Sequence, residues 1–192
     1  MTETDQNELA PASDELVPDS IPLESGDTIL ESIEQRAKTL TFSSPQGFLA
    51  FGFGSGLLTK APGTMGTLAA VPIAVLLTLL DINGFWFLTI AFLSGIWICG
   101  DTSSRLGVED YGGIVWDEMV AYWLIVAFIP FNWVWYLAAF IIFRAFDISK
   151  PWPISMIEEE FEGGFGIMLD DVLAAVYTIL ILVFVNRMLL GA

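Results

Sequence analysis

Along most of the chain, apolar runs alternate with polar connectors rich in glycine. The runs cover 67–82, 84–99, 119–129, 131–143 and 172–185. Asn83-Gly84 is a turn signal between the first two, and Pro130 with Asn132 breaks the third from the fourth. The pattern predicts an all-α fold: a small helical membrane protein of about four to five apolar helices joined by glycine-rich polar loops. Each run falls short of the roughly 18 residues that mark a spanning helix, but extension through its polar ends, as over 84–101, gives a passable length. Some of these helices are expected to be buried or half-inserted. Upstream, Thr28 with Glu31 resembles a capping box, and Ile29, Ile33 and Leu40 would line one side of a short helix over 28–40 that rests on the body. Residues 1–26 are acidic and rich in Pro, Ser and Asp, which predicts disorder. They lack the basic start and apolar core of a signal peptide. The expected division is an acidic tail over 1–40 and a helical membrane domain over 41–192.

Composition strengthens the membrane reading over a soluble bundle with buried central helices. Hydrophobic residues make up 55% of the 192, charged residues 16%, and the mean hydropathy is +0.67. A soluble domain carries about 25% charged residues. Ten of the 23 acidic residues lie in 1–40, which leaves 13 acids and 5 bases for the rest. The aromatic load (Phe85, Trp86, Trp97, Trp123, Trp133, Trp135) also suits a membrane protein. The net charge of −16 excludes nucleic-acid binding, which needs basic surface. It also repels an anionic lipid unless a metal ion intervenes. The absence of histidine removes imidazole as base, nucleophile or ligand. Cys99 is the only cysteine, so no intrachain disulfide forms.

Sidedness follows from the few bases. With five spans, the connectors 81–83 and 130–132 share one side and hold no Lys or Arg. The segments 47–66, 100–118 and 144–171 share the other, with Lys60, Arg105, Arg144 and Lys150. The positive-inside rule makes that second side cytoplasmic, and every unusual polar cluster falls on it.

Four clusters carry candidate chemistry. Residues 54–67 are glycine-rich and precede a helix; Lys60, Gly63 and Thr64 could bind phosphate there, or the small residues could simply let helices pack closely. No Walker loop is present, since no glycine precedes the lysine and no Ser or Thr follows it. Residues 110–118 end on Asp117 and Glu118, either dipole partners at a helix start or carboxylates with a task at the membrane. Arg144, Asp147 and Lys150 follow i, i+3, i+6 spacing before Pro151, as a site face or a ladder of salt bridges. Residues 163–171 repeat the design: a glycine loop and then Asp170 and Asp171 at a helix start. Carboxylates without histidine or thiolate are hard ligands suited to Mg²⁺, and bases beside them suit a phosphate substrate.

The strings Lys60-Ala-Pro-Gly-Thr-Met-Gly-Thr67, Gly113-Ile-Val-Trp-Asp-Glu118, Phe143-Arg-Ala-Phe-Asp-Ile-Ser-Lys-Pro-Trp-Pro-Ile154 and Gly163-Gly-Phe-Gly-Ile-Met-Leu-Asp-Asp171 resemble the phosphatidylglycerophosphatase A family. The resemblance covers about residues 47–185, in order, and leaves 1–40 outside. It implies a Mg²⁺-dependent, multi-pass enzyme of the bacterial inner membrane that converts phosphatidylglycerophosphate to phosphatidylglycerol and phosphate in phospholipid biosynthesis, its site facing the cytoplasm. Asp117, Glu118, Arg144, Asp147, Lys150, Asp170 and Asp171 carry over as catalytic residues. Asp117, Glu118, Asp170 and Asp171 would hold one or two Mg²⁺, directly or through water. Arg144 and Lys150 would neutralise phosphoryl oxygens. Asp147 would orient Lys150 or act as a base, and the attack would come from water or, alternatively, through a phosphoenzyme on an aspartate. Two rivals are weighed. An ion or proton transporter would place carboxylates in mid-span rather than at helix ends, and a lipid-phosphate binding protein would release no phosphate. Cys99 and Arg105 form the C-x₅-R spacing of cysteine phosphatases, but no glycine-rich cradle follows Gly100, so the match is read as coincidence.

Overall fold

The computed structural model describes residues 26–58, 60–82, 84–109 and 111–190. The disorder expected up to residue 25, the Asn83 of the turn and Asp110 of the second cluster lie outside these. The described chain is all-α. It runs through α1 (Gly26–Ser43), α2 (Pro45–Ala50), a 3₁₀ segment (Gly52–Leu57), α3 (Pro62–Leu79), α4 (Phe85–Leu106), α5 (Trp116–Val126), α6 (Trp133–Ser149), α7 (Ile154–Glu160) and α8 (Gly163–Leu190).

Helix α1 is longer than the sequence predicts. It opens at Gly26, so Thr28 lies in its first turn and is not the N-cap of a box with Glu31. Its buried positions are Ala37 and Thr41, with Ile33 and Leu40 half-buried beside them, and Ile29 faces out. That stripe seats the helix on α2, the 3₁₀ segment and α4.

Among the described residues three helices are long and apolar enough to cross a membrane: α3, α4 and α8 over Gly163–Leu189. The five-span topology is corrected by α5 and α6, which have 11 and 17 residues. A helix rises about 1.5 Å per residue, so α5 covers about half of a 30 Å hydrocarbon core. Ten of its residues are buried, all but Leu124. It is therefore a protein-wrapped core helix and not a lipid-facing one. Helices α5 and α6 form a hairpin: Glu118 at the start of α5 touches Arg144 near the end of α6. A hairpin that returns to its own face leaves the sidedness of the clusters unchanged. Among the described residues the chain is thus a membrane protein with three candidate spans and a shorter α5–α6 hairpin packed against them.

Local chemistry fixes the helix ends. The Val134 N–H donates to Asn132 Oδ1 at 2.8 Å and caps α6. Gly107 closes α4 in the left-handed region at φ 71°, where glycine has no Cβ to clash. Aromatic side chains with polar ends bolt α5 to its neighbours. The Trp116 indole N–H donates to the Ala91 carbonyl on α4 at 3.2 Å, the Trp123 indole to Ala70 on α3 at 3.1 Å, and the Tyr122 hydroxyl to Tyr136 on α6 at 2.9 Å. Each buries a large ring while satisfying its one polar atom. The outer surfaces of the spans remain apolar, with Leu68 and Leu76 on α3, Phe85, Trp86 and Ile90 on α4, and Leu180 and Phe184 on α8 exposed.

Candidate active site

Five carboxylates and two bases meet where α3, α5, α6 and α8 come together. The pair Asp117-Glu118 sits in the first turn of α5, as predicted. Asp117 Oδ1 accepts the Glu118 N–H at 2.8 Å, and both side chains are buried. Arg144 Nη1 lies 2.8 Å from Glu118 Oε1 and 2.6 Å from Asp147 Oδ2, so one nitrogen ties α5 to α6. Its Nε is buried and has no hydrogen-bond partner, which leaves a donor for an incoming oxygen. Asp147 thus orients Arg144, whereas the spacing allowed for Lys150.

Lys150 departs from the predicted ladder. It stands just past the end of α6 in the left-handed region, φ 39° and ψ 59°, a conformation that non-glycine residues seldom adopt and that Pro151 follows. This turn swings its ammonium across to α8, where Nζ meets Asp170 Oδ2 at 3.0 Å. Asp170 Oδ1 in turn accepts the Asp171 N–H at 2.9 Å. Asp171 is only 3% exposed and lies within electrostatic reach of Asp117, Glu118, Asp147 and Asp170.

The glycines at the starts of α3 and α8 are points of close packing. Gly63 and Gly66 are in the first turns of α3 and not in a loop. A side chain at Gly63 would collide with the Glu118 carboxylate and the Arg144 guanidinium, and one at Gly66 with Val115. Gly164 lies inside the first turn of α8, pressed on the Ile96 carbonyl and the Gly100 amide of α4. Asp170 and Asp171 consequently stand about two turns into α8, deeper than the predicted helix start. Lys60 is exposed and Thr64 half-buried, and the ion pairs of the cluster run through Glu118, Arg144, Asp147, Lys150 and Asp170.

Cys99 is buried, with Sγ 3.9 Å from Met168 Sδ at the α4–α8 crossing. Cys99 and Arg105 are both inside α4, where backbone amides serve the helix and cannot wrap a phosphate. Arg105 pairs instead with Asp101 at 2.9 Å.

A metal was expected on Asp117, Glu118, Asp170 and Asp171. Among the described residues no three such side chains form a ready-made cage. The bases Arg144 and Lys150 engage Glu118, Asp147 and Asp170. Mg²⁺ needs no such cage, since it keeps several waters and is held by one or two carboxylates with substrate phosphate. The donors are all oxygens, and five carboxylates against two bases leave an excess of negative charge, so the residues fit that ion.

Sequence reasoning missed a second feature. A polar cleft of about 250 Å³ is lined by Glu34, Lys38, Pro62, Tyr111 and Gly113 among others. Burial and the nearby Glu34 carboxylate push the Tyr111 phenol above its ordinary value. Nothing in the acidic composition of residues 1–40 singles out Lys38.

The family model of phosphatidylglycerophosphatase A matches residues 48–186. A phosphatidylglycerophosphatase A of Haemophilus influenzae is 48% identical over 147 residues, 75% of this chain and 90% of the relative. That of Escherichia coli K12 is 42% identical over 163 residues, 83% of this chain and 95% of the relative. No solved structure matches the fold.

Proposed function

Because this chain belongs to the phosphatidylglycerophosphatase A family, we infer that it is a lipid phosphatase, a phosphomonoesterase that hydrolyses phosphatidylglycerophosphate to phosphatidylglycerol and phosphate in phospholipid metabolism. The observation that best supports a site for this chemistry is Arg144. Its Nη1 is anchored between Glu118 and Asp147, while its buried Nε has no acceptor.

The reaction places a water oxygen on phosphorus and breaks the bond from phosphorus to the terminal glycerol oxygen. That oxygen leaves with a proton as the alcohol of phosphatidylglycerol, and inorganic phosphate is released. Arg144 Nε and the Lys150 ammonium neutralise the non-bridging oxygens as charge moves onto them. Asp147 and Glu118 hold the guanidinium in place, and Asp170 holds Lys150, so the donors are set before the substrate arrives. Asp117 and Asp171, buried and within reach of each other, with Glu118 and Asp170 beside them, would hold Mg²⁺. An ion held there would supply positive charge to the phosphoryl oxygens and lower the pKa of a water. Gly63 keeps the start of α3 close enough to wall off the site.

The basic residues Lys60, Arg105, Arg144 and Lys150 lie on the site's side, and by the positive-inside rule this supports a site that faces the cytoplasm from a bacterial inner membrane. Phosphate and phosphatidylglycerol released in equal amounts by the purified protein from phosphatidylglycerophosphate micelles are the expected outcome. Retention of bound lipid with no phosphate released would overturn the reading in favour of a binding protein.

A further inference from the structure

Gly52, Phe53 and Gly54 hold positive φ in succession, at 54°, 59° and 91°. L residues avoid that region, and a run of it makes a left-handed turn that non-glycine residues seldom join. Phe53 joins it although its ring is exposed, edge-on to Phe48, so burial of the side chain does not account for the strain. The turn is pinned at its base. The Gly54 and Gly56 N–H groups both donate to the Phe51 carbonyl, at 2.9 and 3.1 Å, and Phe51 is fully buried against Tyr111. Strained backbone of this kind persists only where its surroundings hold it.

The turn bears on the start of α5. Val115 is the N-cap of that helix and supplies no side-chain cap, so packing has to fix its position. Its N–H donates to the Ala50 carbonyl at 2.8 Å, and its side chain is fully buried. A Cβ at Gly52 would stand 2.6 Å from Val115 Cγ2 and 3.1 Å from Met119 Sδ. One at Gly56 would strike the Gly113 carbonyl. From the other side, a Cβ at Gly66 of α3 would strike Val115 and come 2.9 Å from Glu118 Oε2. Val115 is therefore clamped between the left-handed turn and α3, two residues before Asp117 and three before Glu118.

We propose that the left-handed turn at 52–54 is a brace that positions the Asp117-Glu118 pair, and through Glu118 the Arg144 guanidinium, by pressing on Val115. The proposal rests on the lipid-phosphatase reading and makes Gly52, Phe53 and Val115 positioning residues for that reaction. Glu118 holds Arg144 Nη1 at 2.8 Å, so a shift of the first turn of α5 moves the guanidinium with it. Ordinary contact with a Cβ begins near 3.4 Å, so the methyl group of Gly52→Ala would drive Val115 back by about 1 Å, a misplacement that can cost about a hundredfold in rate.

The test is a double-mutant cycle on phosphatidylglycerophosphate in mixed micelles, assayed well below each variant's melting temperature. Gly52→Ala should lower kcat about tenfold or more with KM little changed, the mark of donors misplaced in the transition state. Val115→Ala removes the Cγ2 atom that the new methyl group meets; alone it slackens the brace and should also lower kcat. The double variant should recover kcat to within about threefold of wild type, since neighbours in contact couple. Its melting temperature should stay low, because the positive φ at 52 still strains alanine. A kcat that instead follows the melting temperature through the series would overturn the brace. Two substitutions of the exposed Phe53 separate backbone from ring. Asparagine tolerates the left-handed region and valine does not, so Phe53→Asn should keep kcat near wild type and Phe53→Val should lower it. Equal rates in the two, whether normal or reduced, would overturn the proposal. Hydrogen–deuterium exchange gives a readout free of turnover. Amides at 115–122 should lose protection in Gly52→Ala and regain it in the double variant, and unchanged protection would count against the brace. Absence of phosphate release by the wild type would instead overturn the phosphatase reading, and the exchange data would still decide the brace.

Discussion

Asp171 shows how burial turns a common residue into a specific one. It is 3% exposed and has four other carboxylates within electrostatic reach. A carboxylate that only balanced a helix dipole would contribute about 0.3–1 kcal/mol and would sit at the surface. Asp171→Asn keeps the shape and removes the charge, so turnover should fall roughly a hundredfold or more, as when a metal site is impaired. Asp117→Asn should behave alike. Phosphate release by the purified variants, with circular dichroism as a control on folding, checks this; near-normal turnover in both would leave the acids a structural role. Cys99 marks the opposite case. Its sulfur packs on Met168 inside the α4–α8 crossing, so Cys99→Ser should cost some stability and leave turnover near wild type. A loss of several orders of magnitude in the folded variant would bring back a cysteine mechanism. Sequence made all seven charged residues of the cluster visible, because charge is rare in the body of this chain. It did not reveal that Asp147 serves Arg144 and that Lys150 serves Asp170. Periodicity places Arg144, Asp147 and Lys150 on one face only while the helix lasts, and α6 ends at Ser149.

At the scale of the element, glycine carries the design. Read as strings, the two glycine-rich stretches could equally cradle phosphate or pack helices, and local sequence cannot decide because both uses need the missing side chain. In the fold both stretches supply points of close packing. Gly63 brings α3 onto Glu118 and Arg144, and Gly164 brings α8 onto the backbone of α4. Two substitutions should therefore fail in different ways. Gly63→Ala pushes a methyl group into the Glu118–Arg144 pair and should remove most activity with a modest loss of stability. Gly164→Ala meets rigid backbone and should cost about 1–3 kcal/mol, the usual penalty of overpacking, with activity falling only as the protein unfolds. Thermal unfolding in detergent alongside phosphate release distinguishes the two patterns; the same pattern in both variants would mean that Gly63 has no particular tie to the site. Helix α5 was legible as apolar, but its burial was not. An 11-residue apolar run reads alike whether lipid or protein surrounds it, and only the anchoring of Trp116, Tyr122 and Trp123 to three different helices shows which.

For the whole molecule the governing quantity is charge. The chain carries a net charge of −16, its substrate is an anionic lipid, and an inner membrane is itself anionic. Within the site, Arg144 and Lys150 face five carboxylates, and no other base of the chain takes part in those ion pairs. Two cations already engaged by carboxylates offset only part of the charge of a phosphate monoester, so a further cation is expected to enter with or before the substrate. Oxygen is the only ligand type at hand, which selects a hard divalent ion. Chelation by EDTA should abolish phosphate release, and excess Mg²⁺ should restore it without refolding. Raising Mg²⁺ should partly rescue Asp171→Asn if the lost oxygen is a ligand, whereas extra metal cannot replace a missing proton acceptor. Full turnover in excess EDTA would break this argument at its base. The bases alone would then carry the phosphate, and the five carboxylates would need another explanation.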